Sequence, residues 1–205
     1  MSCPPIAPHC SFTTGGRDIL ATHTESYVIA FDAETGKMLW AHPHKNQYLV
    51  HPNTPIYHEG RLFYFSGYGS GGGMLKLSPD GRSVSLEWRT TALDSRIGGA
   101  VLVDGYLYGS GDKNREWRCF DWVTGKETYS SKEVGKGVVL AADGKLYCYS
   151  ERGELALVKA DPSGFVVSGL TRIDFGSEQH WAHPMIENGV LYVRHGNAMG
   201  AYKVR

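Results

Sequence analysis

The sequence predicts an all-β fold, a β-propeller of four-stranded antiparallel blades, and three observations lead to it. A sequence motif recurs about every 40 to 45 residues, a repeat length typical of propeller blades. The motif consists of an apolar run, a turn residue, a glycine and a strand in which Leu is followed by an aromatic residue. The 26 glycines and 12 tyrosines suit short strands joined by tight turns. No window of about a dozen residues has helical periodicity. We expect about five blades, the last without its fourth strand, with a partial ring of a longer propeller as the alternative.

The glycine of the repeat marks the turn between the first two strands of each blade. The four clear copies and one degenerate copy are Gly60, Gly105, Gly144, Gly189 and Gly16. In three copies Asp or Asn directly precedes the glycine, as a two-residue hairpin turn requires, whereas Glu59 fits that turn less well. We expect one propeller domain over residues 1–205. Its blades are predicted at approximately 8–42, 54–89, 99–130, 138–170 and 183–205.

The second half of a blade is predicted from an Asp-x-x-Thr-Gly-Lys turn between the third and fourth strands. This turn occurs at residues 32–37 and again at residues 121–126. The Asp carboxylate can cap the turn, and the glycine supplies the positive φ that it needs. The glycine-rich run at residues 67–73 has no following helix and no Lys-Ser/Thr, so we interpret it as a flexible hairpin rather than a phosphate loop.

Residues 30–40 fit the pattern Ala-x-Asp-x-x-x-Gly-x-x-x-Trp, the tryptophan-docking motif of quinoprotein propellers. On this motif and its repeat the chain resembles the pyrroloquinoline-quinone-like β-propeller family. That family includes quinone-dependent alcohol dehydrogenases, polyvinylalcohol dehydrogenases and an outer-membrane-assembly lipoprotein that binds no quinone. The resemblance implies a structural docking role for Asp32, Gly36, Trp40, Asp121 and Gly125. It also favours a periplasmic or extracytoplasmic location, although residues 1–8 lack the features of a signal peptide.

Our first functional interpretation is a non-catalytic scaffold that binds a protein or a small polar or anionic ligand on its channel face. The alternative that the resemblance implies is a quinone-dependent alcohol dehydrogenase of the polyvinylalcohol type, or a fragment of one, with pyrroloquinoline quinone and calcium. The sequence departs from those enzymes because it has no adjacent cysteine pair and no matching Glu, Asn and Asp set for calcium. A carbohydrate-binding or carbohydrate-cleaving propeller is a third interpretation.

The loops that precede the first strand of each blade are the candidate ligand site, because they should surround the channel. Three side chains lie at the same distance before their repeat glycines and could converge on one ligand: His51, Arg96 and His180. With their neighbours, the candidate ligand-binding residues are His51, Asn53, Arg96, Lys136, His180, Trp181 and His183. Guanidinium and imidazolium groups favour an anionic ligand.

We predict neither a metal site nor a catalytic residue. The pairs His42 with His44 and His180 with His183 look like metal-binding patterns, but strand or loop spacing fixes neither pair on one side, and no acidic cluster lies nearby. Four aspartates that could suggest paired-carboxylate catalysis recur at the same phase of the repeat. They are Asp32, Asp80, Asp121 and Asp161. Their equivalent positions in the repeat explain why these aspartates recur, so no catalytic role is needed to account for them.

The four cysteines, Cys3, Cys10, Cys119 and Cys148, contain no CxxC pair. Cys119 and Cys148 fall in strand patterns and are predicted as buried free thiols, while a Cys3–Cys10 bridge is left open.

Charge and hydropathy restrict the partners. Lys plus Arg and Asp plus Glu both number 21, so the net charge is zero and no basic field attracts nucleic acid. No apolar stretch approaches the roughly 18 residues of a spanning helix, so we predict no membrane insertion. Self-association, or further blades from a longer chain, are the remaining ways to cover exposed blade faces.

Overall fold

The computed structural model describes residues 9–204, which form nineteen β-strands and no helix. The strands build five antiparallel sheets, four with four strands and one with three, and neighbours in each sheet are consecutive in the chain. This all-β meander of blades confirms the predicted fold class. Nowhere in the described range is there a helix long and apolar enough to cross a membrane.

The chain divides into two compact units, residues 1–98 and residues 99–205. Sheet 1 of the first unit consists of β1 (His9–Thr14), β2 (Arg17–His23), β3 (Tyr27–Asp32) and β4 (Met38–Pro43). Sheet 2 consists of β5 (Ile56–His58), β6 (Arg61–Ser66), β7 (Gly71–Leu77) and β8 (Val84–Thr90).

The second unit contains the other three sheets. Sheet 3 consists of β9 (Ala100–Val103), β10 (Tyr106–Ser110), β11 (Trp117–Asp121) and β12 (Glu127–Ser131). Sheet 4 consists of β13 (Gly137–Ala142), β14 (Lys145–Ser150), β15 (Glu154–Lys159) and β16 (Val167–Arg172). Sheet 5 consists of β17 (Met185–Glu187), β18 (Val190–His195) and β19 (Ala198–Lys203).

The first hairpin turn of each sheet has the same backbone conformation. Both central residues have positive φ, between 46° and 79° in the four clear copies, which is the type I′ geometry that matches the twist of antiparallel strands. These pairs are Glu59-Gly60, Asp104-Gly105, Asp143-Gly144 and Asn188-Gly189. The predicted equivalence of the repeat glycines is therefore confirmed, and Glu59 adopts the same conformation as the Asp and Asn residues.

The Asp-x-x-Thr-Gly turns are held by one carboxylate oxygen. Oδ1 of Asp32 accepts hydrogen bonds from the backbone N–H and the hydroxyl of Thr35, both at 2.8 Å. Oδ1 of Asp121 does the same for Thr124, both at 2.7 Å. The glycine after each threonine has a φ of 68°. The same local sequence thus folds into the same turn in both units.

Each unit has its own apolar core. In the first unit sheets 1 and 2 pack together, and Trp40 is buried there with Ala30, Tyr64 and Leu75. The core of the second unit contains the buried residues Tyr108, Trp117, Val139, Cys119 and Cys148. Both cysteines are free thiols, and burial raises their pKa values. The half-buried Cys10 is a free thiol as well, so the structure does not support the bridge to Cys3, which itself lies outside the described residues.

The glycine-rich run differs from the expectation of a flexible hairpin. The turn covers only residues 67–70, whereas Gly71, Gly72 and Gly73 are buried in β7. A Cβ at Gly72 would lie 2.0 Å from the carbonyl oxygen of Tyr64. These three glycines allow close backbone packing within β7, and the predicted hairpin between the second and third strands is confirmed for residues 67–70.

Candidate functional site

Three buried histidines meet in the first unit. His23 ends β2, His44 directly follows β4, and His51 lies in the loop between β4 and β5. One ring nitrogen of each lies within 4.8 Å of a ring nitrogen of the other two. Their exposed fractions are only 3%, 4% and 7%. We call this group the histidine cluster.

The rings of the histidine cluster pack face to face and at an angle. His23 and His51 are parallel, with 2° between their planes and 4.9 Å between their centroids. His44 is tilted by about 50° to both, with centroid distances of 5.7 Å to His23 and 5.3 Å to His51. The phenol ring of Tyr64 packs edge-on against His44, and its hydroxyl bonds to Nε2 of His42 at 2.9 Å.

A hydrogen bond determines which ring nitrogen of His51 is protonated. Nε2 of His51 lies 3.1 Å from the backbone carbonyl oxygen of Glu25, so it must be the protonated nitrogen, and Nδ1 carries a lone pair. That Nδ1 is buried without a hydrogen bond, as are both ring nitrogens of His23. Nε2 of His44 bonds to the hydroxyl of Ser66 at 2.9 Å. Buried polar atoms without partners are rare in folded proteins, and three of them lie together in this cluster.

Burial keeps the three imidazoles neutral. It is the main cause that lowers the pKa of His23 and of His44 to about 3, with a further contribution from the neighbouring cluster histidines. Burial also lowers the pKa of His51, although the hydrogen bond to Glu25 opposes this shift. At neutral pH the cluster therefore presents uncharged rings with available lone pairs.

The loop between His44 and His51 exposes three consecutive apolar side chains, and we call residues 45–50 the apolar loop. Tyr48, Leu49 and Val50 are 60%, 43% and 38% exposed. Asn46 organises the backbone, since its Oδ1 accepts from the N–H of Tyr48 at 2.9 Å and its Nδ2 donates to the carbonyl of Val50 at 2.5 Å. Leu49 has a φ of 57°, and Tyr48 packs edge-on against Tyr68 at 4.5 Å.

The structure places the predicted ligand residues of the first unit in three different environments. Asn53 is buried, and its Nδ2 donates to the carbonyl oxygens of Phe65 at 3.1 Å and Ser95 at 2.9 Å, which fastens the start of sheet 2. Arg96 packs so closely on Gly67 that a Cβ there would lie 2.5 Å from the Arg96 Cβ. His51 belongs to the histidine cluster.

Of the four predicted ligand residues of the second unit, two contact other side chains closely and two are exposed. The ammonium group of Lys136 is paired with Asp112 and with Glu151, the latter at 3.1 Å. His180 stacks on His195 at 3.5 Å, and its Nδ1 bonds to the hydroxyl of Tyr149 at 2.5 Å. Trp181 and His183 are exposed.

The predicted convergence of three side chains on one ligand involves both units. His51 and Arg96 belong to the first unit and His180 to the second. Their meeting at one channel therefore stays a prediction.

Sequence reasoning missed His23 altogether and dismissed His44 as part of a weak pair. One signal was available, because His23 has the same strand phase as Ile19 and Ala21, both fully buried on β2. That alternation indicates a buried imidazole. The other two histidines of the cluster come from the residue that follows β4 and from the loop before β5, so no spacing rule connects them with His23.

Neither a scan against protein-family models nor a search of curated proteins gives a match. Solved structures do match. The structure of BamB from Moraxella catarrhalis has a TM-score of 0.69 and 11% identity, with 98% of this chain and 60% of that chain covered. Quinohemoprotein alcohol dehydrogenase from Comamonas testosteroni has a TM-score of 0.60 and 12% identity, with 85% and 42% covered.

A europium-containing methanol dehydrogenase is similar to the same degree, with a TM-score of 0.59, 12% identity, and 83% and 42% of the two chains covered. The chain thus spans about 60% of the length of the first of these proteins and less than half of the two dehydrogenases. Its resemblance to quinoprotein-type β-propellers is confirmed at the level of the fold.

Proposed function

We propose that this chain is a non-catalytic binding module of the quinoprotein-propeller type, and that its partner is a protein that contacts the apolar loop. The observation that carries the proposal is the run Tyr48-Leu49-Val50, three neighbouring apolar side chains exposed on an ordered loop. The loop precedes the first strand of sheet 2, the position that sequence analysis assigned to the channel face.

A protein partner suits this loop for physical reasons. Single exposed apolar residues are common, but adjacent ones on an ordered loop form a patch that gains from being covered. The side-chain bonds of Asn46 hold the backbone in place, so binding costs little additional loop entropy. Tyrosine is enriched among the residues that dominate binding energy at protein interfaces, and Tyr48 is the most exposed side chain of the three.

A small anionic ligand is supported less well. Of the predicted ligand residues, Arg96 offers a permanent positive charge, whereas His51, His180 and Lys136 contribute charge only where they are protonated and uncompensated. Burial lowers the pKa values of both histidines, which keeps them neutral near pH 7. The charge of Lys136 is compensated by two carboxylates.

A quinone-dependent dehydrogenase remains the alternative that the fold resemblance implies, with a periplasmic or extracytoplasmic location. The donor set does not favour it. Within residues 9–204 the one group of candidate metal ligands is the histidine cluster, which contains no carboxylate. Calcium prefers six to eight oxygen ligands, so these imidazoles do not fit the calcium ion of such a site.

The test is site-specific photo-crosslinking in the source cells. A photoreactive amino acid at Tyr48 should give one discrete protein adduct, and the adduct should vanish when Leu49→Asp is added. The matched control is the same group at Met38, which is exposed at the opposite end of β4. Identical adducts from both positions, or dye-linked alcohol oxidation by the purified chain after addition of the quinone and calcium, would contradict the proposal.

A further inference from the structure

We propose that His23, His44 and His51 bind a divalent transition metal ion, with Zn²⁺ as the representative ion. The site is independent of the proposed protein partner. It rests on three imidazole donors that converge within 4.8 Å, from the end of β2, from the residue after β4 and from the residue after the apolar loop. Two of these histidines carry buried nitrogens without hydrogen bonds.

The donor distances are close to those of a zinc site. Zn–N bonds of about 2.0–2.1 Å in a tetrahedral site separate the ligand nitrogens by about 3.3 Å, so the cluster must contract by about 1.5 Å at most. Lone pairs lie in the ring plane, and the rings of His23 and His51 are parallel, so one of them must rotate to converge. His23 is suited to this rotation because its ring breaks no hydrogen bond when it turns.

Hydrogen bonds behind the ligands also fit a metal site. Metal-binding histidines commonly donate their other ring N–H to a carbonyl or another polar group, which sets the tautomer and the ring orientation. The carbonyl of Glu25 has this role for His51 and leaves Nδ1 as the donor. The hydroxyl of Ser66 lies 2.9 Å from Nε2 of His44 and can take the same role when that nitrogen carries the proton.

The donor set selects the class of ion. Three neutral imidazoles without a carboxylate suit Zn²⁺, Cu²⁺, Ni²⁺ or Co²⁺ and disfavour Ca²⁺ and Mg²⁺, which require oxygen ligands. A fourth position is left for water. The positive charge of Arg89 acts on His44 and on His42 and opposes cation binding. The affinity should therefore be below that of a site with a carboxylate ligand.

The ion would clamp the apolar loop. His44 directly precedes the apolar loop and His51 directly follows it. His23 lies on β2, so a shared ion would connect both ends of the loop to that strand. A metal bond between these ends would hold the loop that presents Tyr48 in one conformation. This consequence for binding rests on the proposed function, whereas metal binding itself does not.

The first experiment uses the full chain, produced without a histidine tag and freed of metal with a chelator. Calorimetric titration with Zn²⁺ at pH 7.5 should give one saturable site per chain. Zn²⁺ at a hundredfold excess over Kd should raise Tm by about 5 °C or more. Co²⁺ should produce the strong visible absorption bands of a four-coordinate ion. Absence of a saturable site in the wild-type chain would overturn the proposal.

Variants distinguish the cluster from other histidines. His44→Gln and His51→Gln should each weaken Zn²⁺ binding by about a hundredfold or more, since even the hydrogen-bond partners of metal ligands are worth about 10- to 100-fold. His58→Gln, at an exposed position of β5, is the matched control and should bind as the wild type does. Circular dichroism of each metal-free variant checks its fold.

Unchanged affinity in both cluster variants would refute the assignment even if the wild type binds Zn²⁺. The titrations contain no protein partner. Their failure therefore leaves the crosslinking result intact, and failure of the crosslinking leaves metal binding intact.

Discussion

Buried imidazoles are the most consequential individual residues of this chain. Hydrophobic side chains at their positions would form an ordinary core, whereas His23 and His51 place unsatisfied ring nitrogens there. Such nitrogen atoms lower the stability of the fold unless a ligand or a metal ion binds to them. Neutral rings also make the fold sensitive to acid, because protonation would bury charge.

We expect the free energy of unfolding to fall as the pH is lowered from about 6.5 toward 3. In the fold, burial lowers the pKa values of His23 and His44 to about 3, whereas an imidazole in the unfolded chain titrates near 6.5. Between these values the unfolded chain binds protons that the native chain excludes. Stability is therefore complete above pH 6.5 and declines below it, with a slope that approaches about 1.4 kcal/mol per pH unit for each histidine.

Urea denaturation at pH 7.5, 6, 5 and 4.5 measures this slope. His44→Gln removes one titrating group and should reduce the slope by up to half, and an unchanged slope would contradict the assignment.

Protonation of carboxylates affects stability at a lower pH than protonation of the histidines. Hydrogen bonds from Thr35 and then the contact with Arg17 lower the pKa of Asp32 to about 2, so its contribution is lost only as the pH falls from about 3.8 toward 2.

At the scale of elements, one hairpin and one turn recur with little variation. The type I′ turn needs two residues with positive φ, and the Asp-x-x-Thr-Gly turn needs a carboxylate at its start. Both requirements are local, so both can be recognised in sequence. The glycines of β7 have a different role. They leave room for the backbone of the adjacent strand and loop, which a side chain at these positions would overlap.

Gly72→Ala should destabilise the first unit by about 3 kcal/mol or more, because the new Cβ would overlap the carbonyl oxygen of Tyr64. The matched substitution is Gly60→Ala, which has a φ of 75° but open space around the Cβ. It should cost only the strain of the left-handed conformation, about 1–2 kcal/mol. Urea denaturation compares them, and equal costs would show that the packing around β7 relaxes freely.

For the molecule as a whole, stability comes from packing sheets against each other. Sheets 1 and 2 share a core in the first unit, and Trp40 supplies its largest buried side chain, together with aliphatic residues of both sheets. A single sheet cannot bury both faces, so each unit depends on such shared cores.

Trp40→Ala is expected to lower the free energy of unfolding by about 3–5 kcal/mol, measured by urea denaturation. Trp40→Phe should cost less, because it keeps a ring and removes an Nε1–H that is buried without a hydrogen bond. As a control, Trp181→Ala removes an exposed indole and should change stability by about 0.5 kcal/mol or less. A Trp40→Ala cost as small as that of the control would refute the structural role of this residue.

The sequence by itself determined the strand repeat, the five sheets, the matched turns and the all-β class. These follow from alternation and turn chemistry within a few neighbouring residues, as at Asp104-Gly105 and at residues 121–126. The partners of distant side chains do not follow from such local rules. Only the tertiary structure paired Lys136 with its carboxylates and used Asn53 as a brace for the loop that contains Ser95.

The histidine cluster likewise required the tertiary structure. His23, His44 and His51 are separated by a hairpin, a strand and a loop, and they meet because sheet pairing brings the end of β4 beside the start of β3, next to the end of β2. A two-residue period places His23 on the buried face, but it does not specify which residues face it there. Side-chain chemistry across strands depends on register and packing, which are properties of the folded chain.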